Sequence, residues 1–344
     1  MEYLRGVNLG GWLVAEYFMT PSLFKGVLGC DETAILNELG DEGRDRLSEH
    51  HKTFITEDDF AWLAKHGVDA VRLPVPHWVF GDIKPYVGSI KSVDFAFAMA
   101  QKHGLKILLD LHTAPGSQNG KDHSGKIGPV RWHLESGAIT QTLEIVEKLA
   151  LRYGSHRCLW GIELLNEPDK KIPSAVIEEY YRLGYAKVRA ACDPSVVVVM
   201  HDAFRPDAWE SFFTNHEFDN AALDMHLYHA FAPEDKKLDI HKQLKKVLNR
   251  RDMLEQVQEY VPVVVGEWSL GLSRSALRGL DSWEADKARQ AFGTLQLNTY
   301  QKTLGWFFWS YKTDDPGGWS FRYAVEKGWL PSDFDEPVVI ETVM

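Results

Sequence analysis

Apolar residues along this chain gather into eight short runs separated by polar or helically spaced stretches. They are Leu4 to Leu9, Ala70 to Val75, Lys106 to Leu111, Leu159 to Leu165, Val196 to His201, Ala222 to His226, Val261 to Gly266 and Gly305 to Trp309. Their length and their content of Val, Ile, Leu and aromatic residues predict buried strands. Helix chemistry lies between them. Thr56 to His66 opens on a Thr cap with an acidic first turn and stops before Gly67, and Asp94 to His103 stops before Gly104 in the same way. Ile177 to Ala191 carries apolar residues at helical spacing and is closed by Asp193 and Pro194. A strand–helix alternation repeated eight times predicts an α/β fold, a single (β/α)8 TIM barrel spanning 1–344 as one domain. Two polar stretches break the rhythm, Thr113 to His133 and Asp314 to Gly318, and both follow strands. Loops there build the C-terminal face of a barrel, so the pattern also predicts an elaborated cleft at that end.

Composition narrows the function classes. The 344 residues carry a formal charge of −11 and no Lys/Arg-rich arm, which excludes the usual footprint of a nucleic-acid partner. No uninterrupted apolar stretch is long enough to span a membrane, and Met1 leads into YLRGVNLGGWLV without a charged and apolar leader. The expectation is a cytoplasmic, monomeric protein, or a secreted one if a leader was removed ahead of Met1. Cys30, Cys158 and Cys192 are too widely spaced for a metal knuckle and are expected as free thiols, with one bridge as the alternative. The 14 His include His226 and His229 in HLYH, but no HExxH or comparable set occurs, so neither metal nor cofactor is expected.

Two glutamates stand out because each follows strand-forming residues: Glu167 in LLNEP and Glu267 in VVVGEW. A carboxylate at the mouth of a barrel is costly to desolvate, and two of them can break a glycosidic bond, one giving a proton to the leaving oxygen and the other attacking the anomeric carbon. Further polar or aromatic residues occupy comparable strand-end positions: Arg72, His112, Asn166, His226, Tyr228 and Trp309. Singly, Arg72 reads equally as a structural ion-pair partner, His112 as a satisfied core histidine and Trp309 as core. Their recurrence at one end of a barrel favours a site.

These strings carry a resemblance. RGVNLGGWLVAEYFMTPSLF, LHTAPGSQNG, GIELLNEP, HLYHAF, VVGEWS, GWFFWSYKTD and WSFRYAVEKGWLP, in this order, are similar to segments of the family 5 glycoside hydrolases, and most to their exo-β-1,3-glucanase branch. The resemblance implies a retaining double displacement on a β-glucan or β-glucoside without metal. Glu167 would be the acid/base and Glu267 the nucleophile. Arg72 would bond the nucleophile, His112 and Asn166 would bind sugar hydroxyls, and His226 and Tyr228 would position the carboxyls. Trp309 would floor the innermost subsite, and Glu16 would reach the non-reducing sugar.

One segment departs from that branch. QNGKDHSG stands where QNGFDNSG is typical, so Lys121 and His123 flank Asp122 in place of Phe and Asn, while Phe231, the second half of an aromatic clamp, is kept. A one-sided clamp grips a second glucose less well. Three readings therefore stay beside the exo-β-1,3-glucanase: a β-glucosidase for a glycolipid or other short aglycone, an endo-β-glucanase, and a carbohydrate-binding barrel without turnover.

Overall fold

The computed structural model of the chain describes residues 3–335. All eight runs are strands: β1 (Leu4–Asn8), β2 (Ala70–Val75), β3 (Lys106–Leu111), β4 (Leu159–Glu163), β5 (Val197–His201), β6 (Ala221–His226), β7 (Val263–Trp268) and β8 (Gly305–Phe308). They pair in parallel in sequence order, and β1 closes on β8 to complete a barrel. Helices fill the outer layer, including Glu57–Lys65, Ile90–His103 and Ser174–Ala191. The Thr56 N–H donates to Asp59 at 2.9 Å at the start of the first, and Gly104, with φ of 76°, ends the second.

β4 and β7 differ from the sequence pattern by two residues, and β1, β5, β6 and β8 by one. β7 begins at Val263 because Pro262 has no N–H to give to the ladder, and it runs two residues further, so Glu267 lies inside the strand. β4 ends at Glu163. Beyond it Leu164 N–H still donates to Val199 O and Asn166 N–H to Leu111 O, but the ladder is irregular and Glu167 sits four residues past the strand with φ of 42°. Arg72 is the third residue of β2 and fully buried, so it belongs to the barrel interior and not to a strand end.

The period-two alternation of strands sorts that interior into layers. Leu4, Ala70, Leu108, Val197, Val199, Ala222, Val264 and Phe307 pack as an apolar cluster at the lower end. Gly6 makes room for Phe307, whose ring lies 2.2 Å from where a Cβ would stand. Two residues further along their strands lie Arg72, Asp110, His201 and Asp224, all fully buried; Asn8 and Glu163, also fully buried, complete the polar layer beneath the mouth. The main apolar cluster, between barrel and helices, draws on residues from Val7 to Phe334.

The segment Thr113 to His133 is folded back on the rest of the molecule. Thr33 bonds Gly125 O, Ile127 N–H donates to Asp31, and the Ser117 and Ser124 hydroxyls meet at 2.6 Å. Its one helical turn, Asp122–Ser124, presents the KDH segment to the mouth. All three cysteines are free, Cys158 and Cys192 buried and Cys30 half-buried. Among the described residues no helix is long and apolar enough to cross a membrane.

One buried acid makes stability pH-dependent. Glu32 accepts from Ala15 N–H at 3.1 Å, and burial pushes its carboxyl up to about 8. A raised folded-state pKa means that its contribution is complete below about 4.5 and is lost as pH rises through about 8. Glu32→Gln is therefore expected to match the parent protein in Tm near pH 4 and to exceed it by several degrees at pH 9. Thermal melts across that window check this. A Tm difference independent of pH would refute it.

Candidate active site

The mouth is organised around Arg72. From β2 its guanidinium reaches Glu163 Oε2 at 2.8 Å, Asn8 Oδ1 at 2.9 Å, Asn166 Oδ1 at 2.9 Å and Glu267 Oε1 at 3.0 Å, with Asp110 at 3.2 Å. Burial tends to discharge a guanidinium, but Asp110, Glu163 and Glu267 surround this one and keep it charged. Glu163 is pushed well above the carboxylate range by burial, against the pull of Arg72.

Glu267 projects from β7 with its carboxylate held at both ends. Arg72 donates to Oε1, and the Tyr228 hydroxyl donates to Oε2 at 2.6 Å. Burial and the nearby Glu267 charge raise Tyr228 far above its ordinary value, so it remains a phenol able to donate. Gly266 has a steric reason. The Asp224 carboxylate occupies the place of its Cβ, at 2.0 Å, and accepts from its N–H at 2.6 Å.

His226, the last residue of β6, links the two glutamates. Its Nδ1 is 2.8 Å from Glu167 Oε1 and 3.3 Å from Glu267 Oε2, and its Nε2 is 3.3 Å from Asp224. Burial alone would discharge this imidazole, but Glu267, Asp224 and Glu167 reverse the sign and hold it charged, so both nitrogens donate. His201 packs edge-on to it at 4.4 Å and is lowered to about 3 by burial. Among the described residues, two sets bring ligand-type atoms within 4.8 Å, Glu167–His201–His226 and Glu163–Asp224–His226.

The two oxygens facing His226 Nδ1 can be at most about 6.1 Å apart, the limit when all three atoms are collinear. Both carboxyls therefore turn one oxygen towards a common space at the mouth.

The remaining predicted residues take their places around this pair. His112, just past β3, donates from Nδ1 to Asp110 at 2.6 Å, is kept neutral by burial, and stacks on Trp309 at 5.5 Å with 8° between the rings. Trp309 is only 4% exposed and its six-membered ring presses on Gly10, where a Cβ would come within 2.7 Å. Asn166 keeps an unpartnered amide nitrogen, and Glu16 an unpartnered carboxyl oxygen, both buried. Glu16 is pushed well above its ordinary value by burial, with the charges of Asp122, Glu267 and Glu167 adding to it. Phe231 is 63% exposed at the rim, against Tyr228 and Trp319. Lys121 turns towards the site, its Nζ 3.8 Å from Glu167 Oε2.

The strand-end rule missed the supporting layer of Asn8, Asp110, Glu163, His201 and Asp224. Its signal was an acid or amide inside an apolar run, as in LLDL, GIE and LDMH. His123 was visible only as a substitution, yet its Nε2 lies 3.1 Å from Glu167 Oε2.

A (β/α)8 barrel with two buried carboxyls converging at its mouth offers the pair of groups that glycoside hydrolysis uses. Residues 40–315 match the family described as Cellulase (glycosyl hydrolase family 5), and the chain belongs to that family. It is 35% identical over 375 residues to "Probable glucan 1,3-beta-glucosidase A" of Emericella nidulans, covering 96% of this chain and 90% of that protein. To "Glucan 1,3-beta-glucosidase" of Blumeria graminis it is 35% identical over 379 residues, covering 97% and 88%. Among solved structures, rutinosidase from Aspergillus niger superposes with a TM-score of 0.81 at 20% identity, covering 96% of this chain and 98% of that one.

Proposed function

We infer that this enzyme is an exo-acting β-glucosidase that removes glucose from the non-reducing ends of β-1,3-glucan and of short β-glucosides. Glu267 attacks the anomeric carbon, and Glu167 protonates the leaving oxygen and then deprotonates water. The observation that carries this reading is the common contact of both carboxyls with His226 Nδ1, which supports direct capture of the sugar. The anchoring of Glu267 by Arg72 and Tyr228 aims one carboxylate, while Glu167 stays close to the more open side where Lys121 lies. Two similar proteins bearing the name glucan 1,3-beta-glucosidase support the substrate class. Three unpaired cysteines are in keeping with a reducing compartment.

A second reading has one observation in its favour. Lys121 at the rim supplies a cation where a second aromatic would complete a clamp with Phe231, which favours an aglycone other than a glucan chain. Time-resolved NMR of laminarin and of an aryl β-glucoside separates the outcomes. β-Glucose as the first and only sugar product is expected. α-Glucose, or a mixture of oligosaccharides, would refute retention or exo action respectively. Turnover confined to alkyl or aryl glucosides would move the assignment to the second reading.

A further inference from the structure

His123 and Asn119 form a device on the acid side of the site that the reaction scheme above does not require. Asn119 has its amide orientation fixed from both ends. Its Oδ1 accepts from Lys121 N–H at 3.0 Å, and its Nδ2 donates to Glu167 O at 3.3 Å and approaches His123 Nε2 at 2.8 Å. An amide NH2 has only protons to offer, so His123 Nε2 must be the nitrogen that carries the lone pair, and the ring proton is on Nδ1. Nδ1 faces Asp122 Oδ1 at 3.8 Å. The same Nε2 is 3.1 Å from Glu167 Oε2. Lone pair against lone pair would repel there, whereas a proton on Oε2 makes the contact a three-centre hydrogen bond that shares the single Nε2 lone pair with the Asn119 N–H. Glu167 Oε1, on the other side, accepts from His226.

We propose that His123 is a positioning residue for the acid step, its Asn119-fixed Nε2 holding the proton on Oε2 of Glu167 until the leaving oxygen of the substrate takes it. In that step the proton passes from Oε2 to the glycosidic oxygen, the bond from C1 to that oxygen breaks, the bond from C1 to Glu267 forms, and His123 is unchanged. The opposite polarity would work against catalysis. Against the effect of burial, a charged His123 together with His226 draws Glu167 well below the carboxylate range, so the group would start as a base. The other groups facing the pair are Lys121 Nζ at 3.8 Å from Oε2, the His112 ring at 5.8 Å from the His123 ring, and the more distant Glu16 and Glu267.

The inference rests on the reading of Glu167 as acid/base, and its test separates the two. Rates of pH-dependent kcat/KM are compared for an alkyl β-glucoside, which needs protonation of its leaving group, and for 2,4-dinitrophenyl β-glucoside, which does not. In His123→Asn the alkaline limb is expected to move to lower pH by about one unit, with kcat/KM at pH 8 falling about tenfold on the alkyl substrate and less than about twofold on the dinitrophenyl one. An unmoved limb, or equal losses on both substrates, overturns the role of His123. If Glu167→Ala also loses equally on both, the acid/base reading has failed and the inference falls with it. In the unaltered enzyme, imidazole ¹⁵N NMR gives an independent measurement: a pyridine-type Nε2 for His123 at neutral pH is expected, and a protonated Nε2 overturns the proposal.

Discussion

Glu267→Ala is expected to lower kcat by roughly five orders of magnitude on every glucoside, activated or not, while the protein still folds. The size follows from what is removed. Without the carboxylate no covalent intermediate forms, and the two easier steps revert to one difficult displacement by water. Leaving-group quality cannot rescue this, because the missing partner is on the far side of the sugar. The fold should survive because Arg72 keeps Glu163, Asn8, Asn166 and Asp110 when it loses Glu267. Tyr228 loses its acceptor but is only part-buried, so water can replace it. Azide admitted into the space left by the side chain would attack from the same face and yield an α-glucosyl azide from a dinitrophenyl β-glucoside. Steady-state kinetics, a melting curve and the configuration of the azide adduct test this. Ordinary turnover by the variant would remove Glu267 from the mechanism.

The arrangement around that carboxylate explains how much of the molecule was legible in the sequence. Strand existence follows from apolar content, so all eight runs were recognisable, and the barrel followed from their alternation with helices. Strand ends follow from ladder geometry, which composition does not encode. Pro262 delays β7, and the chain leaves β4 at Glu163, so the two glutamates reach the mouth from different backbone settings, one in a strand and one in a left-handed turn. Arg72 read as a strand-end residue but is an interior hub. The strand-end rule registers position along the chain, whereas the interior layer depends on which face of each strand points inward. Asp110, Glu163 and Asp224 were legible in principle as acids within apolar runs. No single-sequence pattern states that five strands bring such residues to one guanidinium.

That layer also constrains how the site divides its labour. Glu267, Glu163 and Asp110 all draw on Arg72, while Glu167, Glu267 and Asp224 draw on His226. Two buried cations thus face a larger set of acids, and burial raises Glu163 and Glu16 well above the usual carboxylate range. Glu267 is aimed by two donors, Arg72 and Tyr228, and Glu167 lies between His226 and His123.

Glu167→Ala should show the complementary signature. Loss of the proton donor is expected to cost about 10²- to 10⁴-fold in kcat/KM on alkyl β-glucosides and little on 2,4-dinitrophenyl β-glucoside, whose leaving group departs without protonation. Deglycosylation then becomes limiting, because no base remains to activate water, so the dinitrophenyl substrate should give a burst of phenolate followed by slow turnover. Azide, which needs no base, should accelerate that turnover and produce a β-glucosyl azide, since it attacks the glycosyl-enzyme from the face opposite Glu267. The alkaline limb of the pH profile should disappear with the group that causes it. Opposite configurations of the two azide adducts, β here and α for Glu267→Ala, are the sharpest expectation, because they depend only on which carboxyl stands on which side of the sugar. The same anomer from both variants would mean that the two carboxyls bonded to His226 do not flank the scissile bond.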